Sequence, residues 1–156
     1  MNKKDLLKQT VYFNELDETA LNELSQLCKG EAFKAGAVIV RENESAKKFY
    51  IIEEGMVTLK MEEGGSTLST IIKKGDLFGW ASLVEPYRYT ATALALEDSK
   101  VLSIASDPFK NKFLQKDLKF AFNFMNRLVQ LLSRRLEDSR KQLISSLSGA
   151  KPISQG

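Results

Sequence analysis

The sequence predicts a mainly β fold with flanking α-helices: a jelly-roll barrel, or double-stranded β-helix, between N-terminal helices and a long C-terminal helix. Residues 31–105 contain short runs of β-branched and aromatic residues separated by turn residues about every 8 to 12 positions, which is typical of an antiparallel barrel or sandwich. Residues 107–147 instead carry apolar side chains at helical spacing. The 156 residues suffice for one domain, predicted over 1–149 and followed by a flexible tail over 150–156.

Residues 4–29 are predicted to form a helix, a turn and a second helix. Asp17 is placed to cap the second helix, because a side-chain oxygen at that position accepts a hydrogen bond from the first turn. Cys28 is the single cysteine, so an intramolecular disulfide is excluded and a buried structural thiol is favoured over a reactive one. Phe13 and Leu16 precede this helix and are expected to dock on the core. The apolar positions of the helix are Ala20, Leu21, Leu24, Leu27 and Cys28.

Six strand-like runs follow within the jelly-roll region. They cover residues 38–40, 49–52, 56–61, 68–72, 90–96 and 100–104. Glycine, asparagine and acidic residues separate them, as expected for tight turns. Gly55 and Gly75 stand where such turns need a positive φ, and Asn43 tolerates the same left-handed conformation at modest cost.

The third region is predicted to be helical. Asp107 and Pro108 signal the start of a short helix over 109–116, because an N-cap residue is followed by proline at the first helical position. Asp117 is then expected to cap a long helix that ends near Gly149.

The apolar side of the long helix is too wide and too long for a helix that only lies on its own barrel. Beyond Leu132 it narrows to near-heptad spacing, which favours a two-helix seam. A parallel homodimer is therefore predicted, and a helix packed on its own chain alone is the alternative. The predicted dimer-interface residues are Leu118, Ala121, Met125, Leu128, Leu132, Leu136 and Leu143.

Composition excludes several classes of function. The chain has no histidine, which removes imidazole as a general base and as a metal or haem ligand, and excludes Ser-His and Cys-His nucleophiles. No metal site and no enzyme activity are therefore predicted.

A net charge of +3 from 23 basic and 20 acidic residues does not indicate nucleic acid. No apolar run approaches the roughly 20 residues of a membrane span and no secretory signal is present, so no membrane contact and a cytoplasmic location are predicted.

The most informative segment is residues 75–83, which read Gly-Asp-Leu-Phe-Gly-Trp-Ala-Ser-Leu. A strand that ends in Gly-Asp, a second glycine and a short helical turn present backbone N–H groups at a helix N-terminus. This geometry holds a phosphate or another anion. An alternating strand of small and β-branched residues follows from Tyr89.

Three segments, in their order and spacing, carry a likeness to a known family. Residues 41–57 contain Arg-Glu-Asn-Glu and Phe-Tyr-Ile-Ile-Glu-Glu-Gly-Met-Val, residues 72–79 end in Gly-Asp-Leu-Phe-Gly, and residues 133–136 read Ser-Arg-Arg-Leu. Together they resemble the cyclic nucleotide-binding domain superfamily, and most of all the effector domain of bacterial Crp/Fnr-type regulators. The likeness runs from about Leu6 to Leu147. It implies an eight-stranded jelly roll with N-terminal helices and a dimer helix.

The likeness also points to two replaced side chains. In family members that bind cyclic AMP or cyclic GMP, a glutamate after Phe-Gly accepts from the ribose 2′-hydroxyl, and a later arginine pairs with the cyclic phosphate. Trp80 aligns with the glutamate and Tyr89 with the arginine. Arg88 is one position early and would point to the opposite face of a strand, unless a one-residue bulge returns it. Cyclic nucleotide binding is therefore disfavoured, and another small organic or anionic ligand is predicted.

The pocket implied by this likeness offers aromatic rings, hydroxyls and backbone N–H groups. In the family's dimeric regulators, hydroxyl residues shortly after Arg-Arg-Leu reach the nucleotide. Ser139 keeps that type, whereas Arg140 either supplies a positive charge or remains a solvated surface side chain. The alternative for Trp80 and Tyr89 is that they fill the cavity by packing. The candidate ligand-binding residues are Phe78, Gly79, Trp80, Ala81, Ser82, Arg88, Tyr89, Thr90, Ser139 and Arg140.

The leading hypothesis is a homodimeric, non-enzymatic regulatory or sensor module that couples a small ligand in the pocket to the pose of the long helix. One alternative is a ligand-free dimeric protein-interaction module. Another is the effector half of a Crp/Fnr-type transcription regulator that lacks its DNA-binding domain. The family's transcription factors continue into a helix-turn-helix domain, whereas this chain stops at Gly156, so the chain alone is not expected to bind DNA. The identities of the ligand and of any protein partner stay open at this point.

Overall fold

Eight strands in two antiparallel sheets form the body of the computed structural model, which describes residues 2–150 and the side chains of residues 2–148. The strands are β1 (Cys28–Phe33), β2 (Val38–Val40), β3 (Lys48–Glu54), β4 (Met56–Glu63), β5 (Ser66–Lys73), β6 (Leu77–Phe78), β7 (Thr92–Ala95) and β8 (Ser99–Ala105). The first sheet has the order β1-β8-β3-β6 and the second β2-β7-β4-β5. The predicted mainly β jelly roll with flanking helices is confirmed.

Helices precede and follow the strands. They are α1 (Lys3–Gln9), α2 (Glu18–Leu27), α3 (Ser106–Phe109) and α4 (Leu118–Ala150), with a 3-10 turn at Trp80–Leu83 and a π-helical turn at Lys110–Leu114. Both predicted caps are confirmed, since Asp17 accepts from the Ala20 N–H at 2.8 Å and Asp117 from the Phe120 N–H at 3.0 Å. Of the tail predicted over 150–156, Ala150 is the last residue of α4, and residues 151–156 lie outside the described residues. Within residues 2–150, no helix combines the length and the apolar character needed to cross a lipid bilayer.

The start of the jelly roll differs from the expectation that it begins at residue 31. β1 begins at Cys28, directly after α2, so Cys28 caps the helix and opens the strand instead of occupying a helical position. The sequence of β1 does not contain a run of β-branched and aromatic residues, because Gly30 and its charged neighbours interrupt it. It forms because it pairs along its whole length with β8. Cys28 is buried, as predicted.

The short helix after β8 also begins earlier than expected. α3 starts at Ser106, whose buried hydroxyl donates to the Ser82 hydroxyl oxygen at 2.5 Å. Pro108 lies in the first turn, where its missing N–H breaks no intrahelical bond. Beyond Phe109 the chain continues as the π-helical turn, so the predicted α-helix over 109–116 is replaced by two short helical turns.

The larger core lies where the helices meet the first sheet, and aromatic rings build it. Phe13, Phe49, Phe109 and Phe124 are all fully buried. The ring centroid of Phe109 lies 5.0 Å from that of Phe49 and 5.1 Å from that of Phe124. Each such pair contributes about 0.5–1.5 kcal/mol beyond simple burial. Phe13 and Leu16 dock on this core, as predicted.

Two different faces of α4 are apolar. Its buried face consists of Phe120, Phe124, Leu128 and Leu131. Its exposed face carries Leu118, Phe122, Val129, Leu136, Leu143, Ile144 and Leu147. The prediction that Leu128 belongs to a dimer seam is therefore corrected, because this side chain is only 2% exposed and packs in the core of its own chain. It follows Phe124 at helical spacing, and so it shares the inward face.

Three turns adopt the predicted left-handed backbone. The φ angles of Gly55, Gly75 and Asn43 are 99°, 88° and 71°. At Gly55 an added Cβ would also lie 2.3 Å from the Ser99 hydroxyl oxygen and 2.7 Å from the Asp98 carbonyl oxygen. Only glycine fits at Gly55, because both the conformation and the space exclude a side chain.

Candidate ligand-binding site

A cavity of about 430 Å³ opens between the second sheet, the segment 78–91 and the second half of α4. Small-molecule sites usually occupy about 300–1,000 Å³, so the cavity has the right size for a small ligand. We call residues 78–91 the cassette. The sheet contributes Val40, Leu59, Met61, Leu68, Ser69 and Thr70; the cassette contributes Phe78, Gly79, Trp80, Ala81, Tyr89, Thr90 and Ala91; and α4 contributes Leu132, Arg135, Leu136 and Ser139.

The entrance to the cassette is fixed by Gly79. Its φ is 80°, and an added Cβ would lie 3.1 Å from the Lys48 carbonyl oxygen and 3.2 Å from the Phe49 Cα. The neighbouring Phe78 ring stacks on Tyr50 with a centroid distance of 4.8 Å. Glycine is therefore required where the cassette crosses β3, and the stacked pair beneath it forms a rigid floor.

The two aromatic residues of the cassette are partly or wholly buried. Tyr89 is buried, and its hydroxyl donates to the Lys48 carbonyl oxygen at 2.8 Å. Burial raises the pKa of the Tyr89 hydroxyl, and the pKa of the adjacent Tyr50 is raised by burial as well. Trp80 is half-buried and contacts both cores of the chain. Both rings line the cavity without filling it.

Seven of the ten candidate ligand-binding residues line the cavity, and Ser82, Arg88 and Arg140 do not. The Ser82 hydroxyl turns away and donates to the Gly79 carbonyl oxygen at 2.9 Å. Arg88 is exposed, and its guanidinium donates to the Asn43 carbonyl oxygen at 2.9 Å, so no bulge returns it to the cavity. Arg140 is exposed on the surface of α4.

The positive charge of the cavity comes from Arg135, which the sequence analysis did not select as a ligand-binding residue. This half-buried guanidinium donates to the Leu77 carbonyl oxygen beside the cassette. Burial lowers its pKa below the usual value, while Tyr12 and Asp76 oppose the shift. Arginine nevertheless stays protonated at neutral pH. Helical spacing could have identified it, because residues four apart share a face and Ser139 was already a candidate.

The second half of α4 forms the roof of the cavity. Leu132 and Leu136 supply its apolar part. Further along, the Gln142 side chain bonds to both backbone groups of Ser69 on β5: its amide donates to the carbonyl oxygen at 2.5 Å, and its oxygen accepts from the N–H at 3.2 Å. Two polar contacts, at Leu77 and at Ser69, therefore hold the roof of the cavity against the barrel.

A family model matches this chain, and its fold agrees with the arrangement described above: a jelly roll, a glycine-hinged cassette and a C-terminal helix that covers the cavity. The sequence model of the cyclic nucleotide-binding domain matches residues 31–116, more than half of the chain. The chain belongs to the cyclic nucleotide-binding domain family. The family is one of regulatory cyclic nucleotide-binding domains, and the match indicates no enzymatic family.

Relatives of this cyclic nucleotide-binding domain include regulators and sensor domains. A CRP-like cAMP-activated global transcriptional regulator of Mycobacterium tuberculosis is 23% identical over 141 residues, which are 89% of this chain. The chain covers less than two thirds of the curated relatives that it matches, and 61% of this one.

Two solved structures share the fold. A Geobacter metallireducens protein provisionally described as cyclic nucleotide-binding has a TM-score of 0.74 and 26% identity, over 87% of this chain and 99% of that one. The sensor domain of the transcriptional regulator DNR from Pseudomonas aeruginosa has a TM-score of 0.74 and 23% identity, over 86% and 91% of the two chains.

Proposed function

We propose that this chain is a homodimeric regulatory module that binds a small organic or anionic ligand in the cavity and transmits its presence through α4. One observation carries the proposal: the cavity wall is shared between the cassette and the second half of α4. A ligand that touches both walls necessarily has different contacts when α4 lies on the barrel and when it does not. Such a difference in contacts is what a ligand needs to shift a conformational equilibrium.

The open volume of the cavity favours ligand binding over the alternative, in which Trp80 and Tyr89 fill the pocket by packing against each other. Tyr89 and Trp80 occupy part of the wall, yet about 430 Å³ stays open between them and α4.

Cyclic nucleotides fit this space poorly in chemical terms. Arg88 points to Asn43 instead of the cavity, and among the described lining residues no carboxylate is present to accept from a ribose hydroxyl.

The exposed face of α4 supports a homodimer. Leu118 and Phe122 are 78% and 73% exposed, and Phe122, Val129, Leu136 and Leu143 repeat at heptad spacing. Contiguous apolar surface of this kind marks an interaction site. Leu136 also lines the cavity, so the seam and the ligand site share a residue. This continuity offers a route by which the ligand alters the pairing of two α4 helices.

Binding and coupling can be measured on the same protein. Trp80 is the single tryptophan and lies in the cavity wall, so its emission should shift or be quenched when a ligand enters. A chemically mixed metabolite panel with cyclic AMP and cyclic GMP would be screened in this way. For each hit, amide hydrogen exchange over residues 132–142 should change. Light scattering should give a dimer mass.

Three results would contradict the proposal. They are a panel in which no compound binds, a bound ligand that leaves exchange in α4 unchanged, and a monomer mass at high micromolar concentration. Tight binding of a cyclic nucleotide alone would keep the regulatory role and overturn the ligand preference.

A further inference from the structure

We infer that the ligand is a carboxylic acid with a single negative charge on an apolar body, and that the Arg135 guanidinium binds its carboxylate. The inference rests on the proposed function, because it names the chemical class that the same cavity accepts. Among the described residues that line the cavity, three properties lead to this inference: one cation, no acidic side chain and mostly apolar walls.

Arg135 is the one charged side chain among the described residues that line the cavity. None of the ion pairs formed by residues 2–148 includes it, and Asp76 acts on it only through space. Its bond to the Leu77 carbonyl oxygen uses one of the five N–H donors of a guanidinium. The planar fork of the remaining donors matches the two oxygens of a carboxylate.

A single cation in a largely apolar cavity limits the charge of the ligand. One carboxylate is neutralised by Arg135, whereas a second negative charge would be desolvated without a partner. A phosphate monoester, which carries up to two charges near neutral pH, is therefore disfavoured. Hydroxyls of Thr90 and Ser139 also line the cavity and can support one acidic group.

The body of the ligand is expected to be apolar, because the rest of the wall offers little to a sugar. Leu59, Met61 and Leu68 face the space from the second sheet, and Leu132 and Leu136 face it from α4. Burying hydroxyls against such a surface without hydrogen-bond partners is unfavourable. Hydrocarbon chains and aromatic rings avoid that penalty, and the Trp80 ring adds a flat surface for either.

Matched pairs of ligands test the charge and the body separately. The full chain would be titrated with octanoate and 4-phenylbutyrate, with their neutral amides, and with octyl phosphate and cyclic AMP, by Trp80 emission and calorimetry. Each acid should bind at least about tenfold more tightly than its amide, since a charge-assisted pair is lost with the amide. Octanoate and phenylbutyrate distinguish an aliphatic from an aromatic body.

Two arginine variants identify the residue responsible. Arg135→Gln should reduce the affinity for the acids about tenfold to a hundredfold and remove the preference over the amides. Arg134→Gln removes the same charge from the adjacent exposed position and should retain the preference. If Arg135→Gln fails to fold in a thermal scan, the acid and amide comparison on the unmodified chain decides the charge requirement.

The outcomes separate this inference from the proposed function. Equal binding of acids and amides, or equal losses in both arginine variants, overturns the inference. So does a cyclic nucleotide or octyl phosphate that binds more tightly than both acids. If neither acid binds while another panel compound binds and alters α4, the inference fails and the proposed function stands. If nothing binds, both fail.

Discussion

The two halves of α4 are anchored by different physical means. The first half, up to Leu131, inserts Phe120, Phe124 and Leu128 into a core of stacked and edge-on aromatic rings. The second half lies over a cavity and is tied to the barrel through Arg135 and Gln142, which bond to backbone groups. One continuous helix is thus fixed at one end by burial in the core. At the other end it is held by hydrogen bonds that other polar groups could replace.

The difference indicates which part of the molecule can respond to a ligand. Burial of an aromatic side chain contributes several kcal/mol and is lost only when the core opens. The exposed bonds of Gln142 each contribute a net value near the lower end of about 0.5–1.5 kcal/mol, and the half-buried, charge-assisted bond of Arg135 contributes about 1.5–3 kcal/mol. A ligand group can take the place of any of them. We therefore expect movement to start at the cavity and to end near Leu131.

The largest expected effect is on stability, from truncation in the first half. Phe124→Ala should lower the free energy of unfolding by about 3–5 kcal/mol, because it empties the centre of the aromatic core. Asp138→Ala, a truncation in the second half at an exposed site outside the apolar face, should stay within about 0.5 kcal/mol. Urea denaturation of both variants measures this contrast. Similar losses in the two would show that the halves are equally anchored.

The buried thiol of Cys28 lies in the same core as the first half of α4 and reports on how rarely that core opens. Burial raises its pKa from 9.0 to about 12, so near pH 8 the folded chain has about a thousandfold less reactive thiolate than the unfolded chain. Iodoacetamide should therefore label the native protein far more slowly than the urea-unfolded protein. Ser139→Cys in a Cys28→Ser background places a thiol in the cavity and should react quickly. Comparable labelling rates at Cys28 and at position 139 would show that the core and the cavity are equally accessible, which would contradict the different anchoring of the two halves of α4.

The same shift gives a dependence of stability on pH. Between pH 9 and about 12 the unfolded thiol ionises while the folded one stays protonated. The unfolded state then binds fewer protons, so the free energy of unfolding falls as pH rises through this window. Cys28→Ala should lose that part of the slope in urea titrations above pH 9. An unchanged slope would show that the thiol does not differ between the two states.

Introducing charge at the exposed face of α4 should have an intermediate effect, on association. Val129→Asp would place two like charges in the apolar seam and should raise the dimer dissociation constant about a hundredfold or more. Gln130→Asp introduces the same side chain at the next exposed position, away from the seam, and should leave the mass unchanged. Light scattering across a dilution series compares them. A dimer that survives Val129→Asp would place the interface elsewhere.

The smallest effect is expected at the distal contact between α4 and β5. Gln142→Ala removes both bonds to the Ser69 backbone and should cost no more than about 1.5 kcal/mol. Its clearer sign should be faster hydrogen exchange at the Ser69 N–H, with exchange in the Phe124 turn unchanged. Lys141→Ala, at the adjacent exposed position, serves as the control. Unchanged Ser69 protection would show that α4 is held in another way.

Local chemistry made much of the fold predictable from the sequence. Asp17 and Asp117 are caps because their short carboxylates satisfy backbone donors, and Gly55 must be glycine because its φ is 99°. The cassette was also recognisable, since Gly75 to Gly79 joins two turn-forming glycines around a short strand. In each case, the residue types and their local spacing were enough to predict the feature.

Features that depend on distant contacts were not predictable in this way. β1 has little strand character, and it exists because β8 offers a partner along its whole length. Leu128 and Val129 are both apolar, and only the position of the phenylalanine core decides that Leu128 points inward. Arg135 belongs to the cavity because α4 passes beside the cassette at Leu77, a contact between residues 58 positions apart.

The contact at Gln142 has a further consequence for the barrel. β5 is an edge strand, and an edge strand exposes unpaired backbone groups that can join the sheet of another molecule. The Gln142 amide bonds to Ser69 much as a neighbouring strand would, and so it blocks part of that edge. If α4 lifted from the barrel as the proposed function requires, the barrel would gain a free edge together with an open cavity. The helix would then act as a guard against self-association of sheets, and prolonged opening would favour aggregation.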